Sequence, residues 1–206
     1  MLLIPEHEIV VIQPPRTGST ALRDAVLATY PEATSLYRHM ERPGIPESCA
    51  HWRVICLVRD PFERLASIYR YMANFRPTSR AEATDIWVQR MRSDVARPFA
   101  DWLEESAEVF TDPVDVDGSY NPYHAVLDTT PIARKSQWAW ARPDLGAVLP
   151  LHIDDAPGLR KHLGVAVGTV NPSVSADRPR PCARVQAHLE THFAWDLSIF
   201  ARGIAA

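Results

Sequence analysis

A chain of 206 residues, 46% apolar and with a formal net charge of −3, is long enough for one domain with a buried core and too poor in positive charge for a broad nucleic-acid surface. Its three cysteines are odd in number and widely spaced, which speaks against a disulfide framework and for a reducing compartment. No stretch approaches the ~18 apolar residues of a membrane span, and no basic segment followed by a long apolar run opens the chain. The expectation is therefore one domain over 1–206 in the cytoplasm, with neither membrane nor nucleic acid as a partner.

The first strong element is Ile9-Val10-Val11-Ile12, four apolar residues in a row that suit a parallel strand buried on both faces. It breaks into Gln13-Pro14-Pro15-Arg16-Thr17-Gly18-Ser19-Thr20 and then into a helical pattern with Leu22, Ala25, Val26 and Thr29 on one face, ended by Pro31. The loop offers a glycine for close backbone approach, one cation and three hydroxyls at a helix N-terminus, where the dipole favours an anion. Against the pattern G-x-x-x-x-G-K-[ST], Gly18 and Thr20 match, but Gln13 replaces the first glycine and Ser19 the lysine. The same residues also suit an ordinary strand-to-helix turn whose Ser and Thr cap a helix, so a second motif has to decide.

Thr34 to Tyr37 is a short strand candidate, and His39 sits just past its end, where ligands collect in an open parallel sheet. Val54-Ile55-Cys56-Leu57-Val58 reads as another central strand and is closed by Arg59. Asp60-Pro61-Phe62-Glu63 then starts a helix with an acid at the N-cap, Pro at N1 and Glu at N3. Its buried face carries Leu65, Ile68, Tyr69 and Met72, which leaves Arg64, Ser67 and Tyr71 on another.

Further on, Ala81 to Met91 and Pro98 to Ala107 read as helices that cover the site. The acidic stretch Asp112 to Gly118 lacks the first and last ligands of a calcium loop, so calcium is rejected there. Tyr120 to Gln137, with Tyr123, His124, Lys135 and Gln137, is the candidate acceptor-facing loop. Ala147 to Leu151 reads as a late strand, followed by a helix capped by Asp154 or Asp155 and stopped at Gly164. After Asn171-Pro172-Ser173 and the basic Arg178 to Pro181 loop, Val185, Leu189 and Phe193 mark a final helix, and Trp195, Leu197 and Phe200 dock the tail. The alternation gives an α/β fold with a mainly parallel sheet.

Two motifs together resemble the sulfotransferases that use 3′-phosphoadenosine-5′-phosphosulfate (PAPS), especially the branch with the carbohydrate enzymes such as the heparan-sulfate 2-O-sulfotransferases. Pro15-Arg16-Thr17-Gly18-Ser19-Thr20 resembles that family's 5′-phosphosulfate loop, and Val58-Arg59-Asp60-Pro61-Phe62-Glu63-Arg64-Leu65-Ala66-Ser67-Ile68-Tyr69 resembles its 3′-phosphate motif. Arg38-His39 is similar to the basic residue and histidine where the family places its catalytic base. A weaker likeness runs through Gln137-Trp138, Asn171-Pro172-Ser173 and the tail from Trp195 to Phe200, while Arg76 to Ile132 matches little. The family usually has lysine where this chain has Arg16, a planar fork rather than a point charge.

The resemblance implies a P-loop-type three-layer sandwich over 1–206, with a mainly parallel central sheet flanked by helices. It also implies that Pro15, Arg16, Thr17, Gly18, Ser19 and Thr20 hold the phosphosulfate and that Arg59 and Ser67 hold the 3′-phosphate. The expected reaction is sulfuryl transfer from PAPS to a hydroxyl or amine of a small-molecule or glycan acceptor, releasing 3′-phosphoadenosine-5′-phosphate (PAP). His39 would act as the base, with Arg16 stabilising the leaving phosphate. No divalent metal is expected, because no carboxylate follows the first strand or directly ends the Val54 to Val58 strand. The alternatives are a P-loop kinase, which normally needs the lysine replaced here by Ser19, and a nucleotide-binding module without catalysis.

Overall fold

The computed structural model describes residues 1–36, 39–76, 86–109, 128–167 and 179–201. Five strands, β1 Leu2–Ile4, β2 Ile9–Ile12, β3 Thr34–Ser35, β4 Arg53–Val58 and β5 Leu149–His152, form one sheet in the order β3-β1-β2-β4-β5. Helices α1 Ser19–Thr29, α2 Pro61–Asn74, α3 Ile86–Asp94, α4 Phe99–Glu105, α5 Gln137–Ala141, α6 Ala156–Leu163, α7 Ala183–His192 and α8 Ala194–Ala201 flank it.

The sheet is mixed, which corrects the expectation of a mainly parallel one. β2, β4 and β5 run parallel, whereas β1 is antiparallel to both β2 and β3. The reason lies in the connection between β1 and β2. Pro5–His7 make a single 3₁₀ turn, and Glu8 adopts a left-handed φ of 51°, so the chain reverses at once. A parallel neighbour would need a crossover of about a dozen residues or more.

β4 is the strand that the rest of the sheet packs around. Its residues from Val54 to Val58 are all buried, because both faces of the sheet are covered. Cys56 and Val58 point with Ile12 into a core built with Leu65, Ile68 and Met72 of α2, Met91, Trp102, Trp140 and Phe193. Ile55 and Leu57 point with Ile9 and Val11 to the opposite face, onto Leu22 and Val26 of α1 and Leu159 and Leu163 of α6. β5 is the half-buried edge of the parallel trio, and the three carboxyl ends lie side by side.

Local chemistry explains where the helices begin and stop. Asp60 Oδ1 accepts from the Glu63 N–H at 2.9 Å at the start of α2, and Asp155 Oδ1 accepts from Gly158 N–H at 3.0 Å at the start of α6. α6 ends at Gly164, whose φ of 63° is the left-handed cap that the sequence implies. Val185 and Leu189 of α7 and Phe193 after it are buried, and Trp195 and Leu197 of α8 pack against the same core. The late strand and the two covering helices are shifted by a few residues from their sequence-based bounds, and 81–85 lie outside the described residues.

The three cysteines are free, Cys49 and Cys56 buried and Cys182 exposed. Among the described residues no helix is long and apolar enough to cross a membrane. Replacing Asp60 with Ala should destabilise the protein by about 1 kcal/mol through loss of the α2 cap. Urea unfolding measures this, and an unchanged midpoint would mean that the cap contributes nothing.

Candidate functional site

Three turns meet at the carboxyl edge of the parallel strands: 13–18 after β2, 59–60 after β4, and 153–155 after β5. Gly18 joins the first to the third. Its φ is +86°, and a Cβ built on it would lie 2.5 Å from Ile153 Cγ1. Both facts demand glycine, one for backbone conformation and one for space.

The loop is tied internally. Thr17 Oγ1 donates to the Pro14 carbonyl at 2.8 Å and is fully buried, so this hydroxyl, expected to face an anion, serves the loop instead. The Gln13 amide crosses the loop to the Ser19 carbonyl at 3.1 Å. α1 starts after Gly18 without a side-chain cap, unlike α2, α5 and α6, and Ser19 and Thr20 stand in its first turn. The N–H groups of a helix's first turn have no intrahelical acceptor.

Arg16 is the second left-handed residue of this loop, with φ 65°. Its Nε donates to Ser67 Oγ of α2 at 3.1 Å, and its guanidinium carbon lies 5.0 Å from the centre of the Tyr71 ring. No carboxylate contacts Arg16 among the described residues. Arg16 as a residue is exposed, but protein surrounds its head closely enough for burial to be the main cause that lowers its pKa. Tyr71 opposes the shift, and the like charges of Arg59 and Arg70 add to it. Arg59 Nη1 in turn donates to the Arg16 carbonyl at 3.2 Å, and Glu63 stands 4.0 Å from its other terminal nitrogen. Arg16 and Ser67, which the resemblance would assign to two separate phosphate groups, are thus in direct contact within one cationic patch.

His39 reaches the same edge. Its Nδ1 lies 2.9 Å from the Gln13 carbonyl, and its ring meets Trp140 edge to face at 6.5 Å. A carbonyl can only accept, so Nδ1 carries the hydrogen, and in the neutral ring Nε2 is the acceptor nitrogen. That tautomer suits a general base. His51 is exposed beyond the 3₁₀ turn Glu47–Cys49, and His124 lies outside the described residues.

Several residues of the site carried no clear mark in the sequence. Arg64, placed on a non-core face by periodicity, is fully buried: Nε donates to the Pro15 carbonyl at 3.1 Å and Nη1 to the Lys135 carbonyl at 2.9 Å. That face is covered by the 13–18 loop, so α2 is buried nearly all round. Arg70 lies one turn beyond Ser67 and is also buried. His152 ends β5 beside Val58. Its Nδ1 accepts from the Asp154 N–H at 3.1 Å, and burial, aided by Arg59, lowers its pKa, so the ring is neutral with its proton on Nε2.

Lys135 and Gln137, expected on an acceptor-facing loop, are buried. Lys135 pairs with Glu41 at 2.5 Å, donates to the Asp128 carbonyl at 2.7 Å and lies 4.1 Å over the Trp140 ring. Gln137 bonds the backbone of Arg59. Tyr123, the Asp112 to Gly118 stretch, Arg38, Asn171-Pro172-Ser173 and Arg178 lie outside the described residues.

No protein-family model matches the chain, and neither a curated protein nor a solved structure matches it. Gly18→Ala should cost about 2–4 kcal/mol, from left-handed strain plus the clash with Ile153. Combining it with Ile153→Ala should cost less than the sum of the single losses in denaturation measurements, because the clash is shared. Simple additivity would remove Ile153 from the explanation.

Proposed function

We propose that the chain is a PAPS-dependent sulfotransferase, one domain over 1–206, that moves a sulfuryl group to a hydroxyl or amine of a small-molecule or glycan acceptor and releases PAP. The observation that carries this reading is Arg16. It is a guanidinium without a carboxylate among the described residues, beside Ser67 and close to Arg59 and Arg70, in front of the uncapped start of α1. Such a patch favours a ligand with more than one anionic group. A P-loop-type three-layer arrangement belongs to the same proposal and is supported by the parallel β2, β4 and β5 run with helices on both faces.

In this reading Arg59 and Ser67 bind the 3′-phosphate, and Pro15 to Thr20 cradle the phosphosulfate through backbone N–H groups, Arg16 and the hydroxyls of Ser19 and Thr20. Thr17 contributes through its backbone alone. Among the described residues Arg16 donates through Nε to Ser67, and its two terminal nitrogens would meet charge on the departing phosphate. His39 Nε2 takes the proton of the acceptor as its oxygen or nitrogen bonds to sulfur and the bond from sulfur to the phosphate oxygen breaks. The kinase alternative gains nothing from Asp60, the nearest strand-end acid, because its side chain caps α2.

The nucleotide half of the proposal is tested by calorimetry and thermal shift. PAP at about 100 times its dissociation constant should add roughly 2.7 kcal/mol of stability, AMP much less, and Arg59→Ala should weaken PAP by roughly 1.5–3 kcal/mol. Equal shifts from PAP and AMP would refute the 3′-phosphate site.

The catalytic half rests on His39. Its replacement by Ala should lower turnover by about 10²–10⁴-fold while PAP affinity stays nearly constant. Undiminished turnover would hand the role of base to another group, and a chain that binds PAP without any transfer would be a binding module.

A further inference from the structure

Arg59 is the first residue past β4, beyond the last rung of the sheet, where Val58 pairs with His152. Its backbone is nevertheless held on both polar groups by one side chain. Arg59 N–H donates to Gln137 Oε1 at 2.7 Å, and Gln137 Nε2 donates to the Arg59 carbonyl at 2.8 Å. The amide acts here as a neighbouring strand would. Its orientation is fixed in turn by Asp196 of α8, whose Oδ2 accepts from Gln137 Nε2 at 3.0 Å and from Gln137 N–H at 2.9 Å. Asp196 Oδ1 also accepts from the Trp138 N–H at 3.3 Å.

Gln137 and Asp196 are both fully buried. Burying an amide and a carboxylate is costly unless each hydrogen bond is made, and apolar side chains would fill the same space without that cost. The directional hydrogen bonds of the network end on the Arg59 backbone.

We propose that Gln137 and Asp196 are positioning residues of the anion site: the carboxylate of the last helix orients the Gln137 amide, and the amide fixes the Arg59 backbone so that its guanidinium enters the site at one angle. The inference rests on the reading of Arg59 as a 3′-phosphate ligand. A residue that orients Arg59 should affect only the part of binding that Arg59 supplies. A residue that merely supports the fold would weaken every nucleotide alike.

The test compares PAP with AMP by titration calorimetry, since the ratio of their affinities isolates the 3′-phosphate. In Gln137→Met, which keeps length and loses both hydrogen bonds to Arg59, the ratio should fall roughly tenfold while AMP affinity changes by less than about twofold. Circular dichroism establishes that the variant is folded. Should it not fold, Asp196→Asn carries the test: it keeps the shape but turns one acceptor into a donor, and the ratio should fall by about threefold with AMP unaffected. A wild-type ratio near one would overturn the assignment of Arg59 itself. A high wild-type ratio that persists in the folded variants, or an equal loss of PAP and AMP, would overturn the positioning role alone.

Discussion

Arg64 is a guanidinium sealed inside the protein, and the candidate site is assembled around it. From α2 it reaches the Pro15 carbonyl of the loop after β2 and the Lys135 carbonyl of the segment leading to α5. Burial pushes its pKa down to about 10, and the Asp196 carboxylate acts against that shift, so the group stays charged at neutral pH. Burial likewise raises the pKa of Asp196, opposed by Gln137, Arg64 and Trp138. Two charges that are each costly to bury are thereby tolerated as a set, and the set fixes loop, helix and C-terminal helix in one arrangement. Removing the Asp196 carboxylate would take from the buried guanidinium a charge that favours its ionised form.

The same network shows what could be read from the sequence and what could not. β2, β4, the Asp60 cap and the Gly164 stop were legible because each depends on residues adjacent in the chain. β1 was not, since the pairing of Leu2–Ile4 with β2 depends on the left-handed reversal at Glu8. Arg64 misled because a charge at a helical position normally marks a solvated face, and the groups that cover it lie 49 residues earlier and 71 residues later. Gln137 and Asp196 lie 59 residues apart. His152 approaches Arg59 only because β5 is the neighbour of β4, and strand order is not written in local pattern.

The distribution of carboxylates separates the frame of the site from its working surface. Lys135 is buried and therefore must be paired; Glu41, two residues beyond His39, supplies the partner, and the Trp140 face and Asp128 carbonyl complete its surroundings. Through Glu41, Lys135 and Arg64 the His39 segment and the 13–18 loop are referred to one rigid frame, which in the proposed reading would keep a base and an anion cradle in register. Arg16 differs in kind. It keeps contact with water, so solvent can carry its charge in the absence of a ligand, and the protein gives it a hydroxyl and an aromatic face but no carboxylate among the described residues. Placing Arg59 and Arg70 nearby adds repulsion at Arg16, offset in part by Tyr71. In the proposed reading an anionic ligand would relieve that repulsion where the frame is firmly held, so that the electrostatic cost of the free site would become part of its affinity.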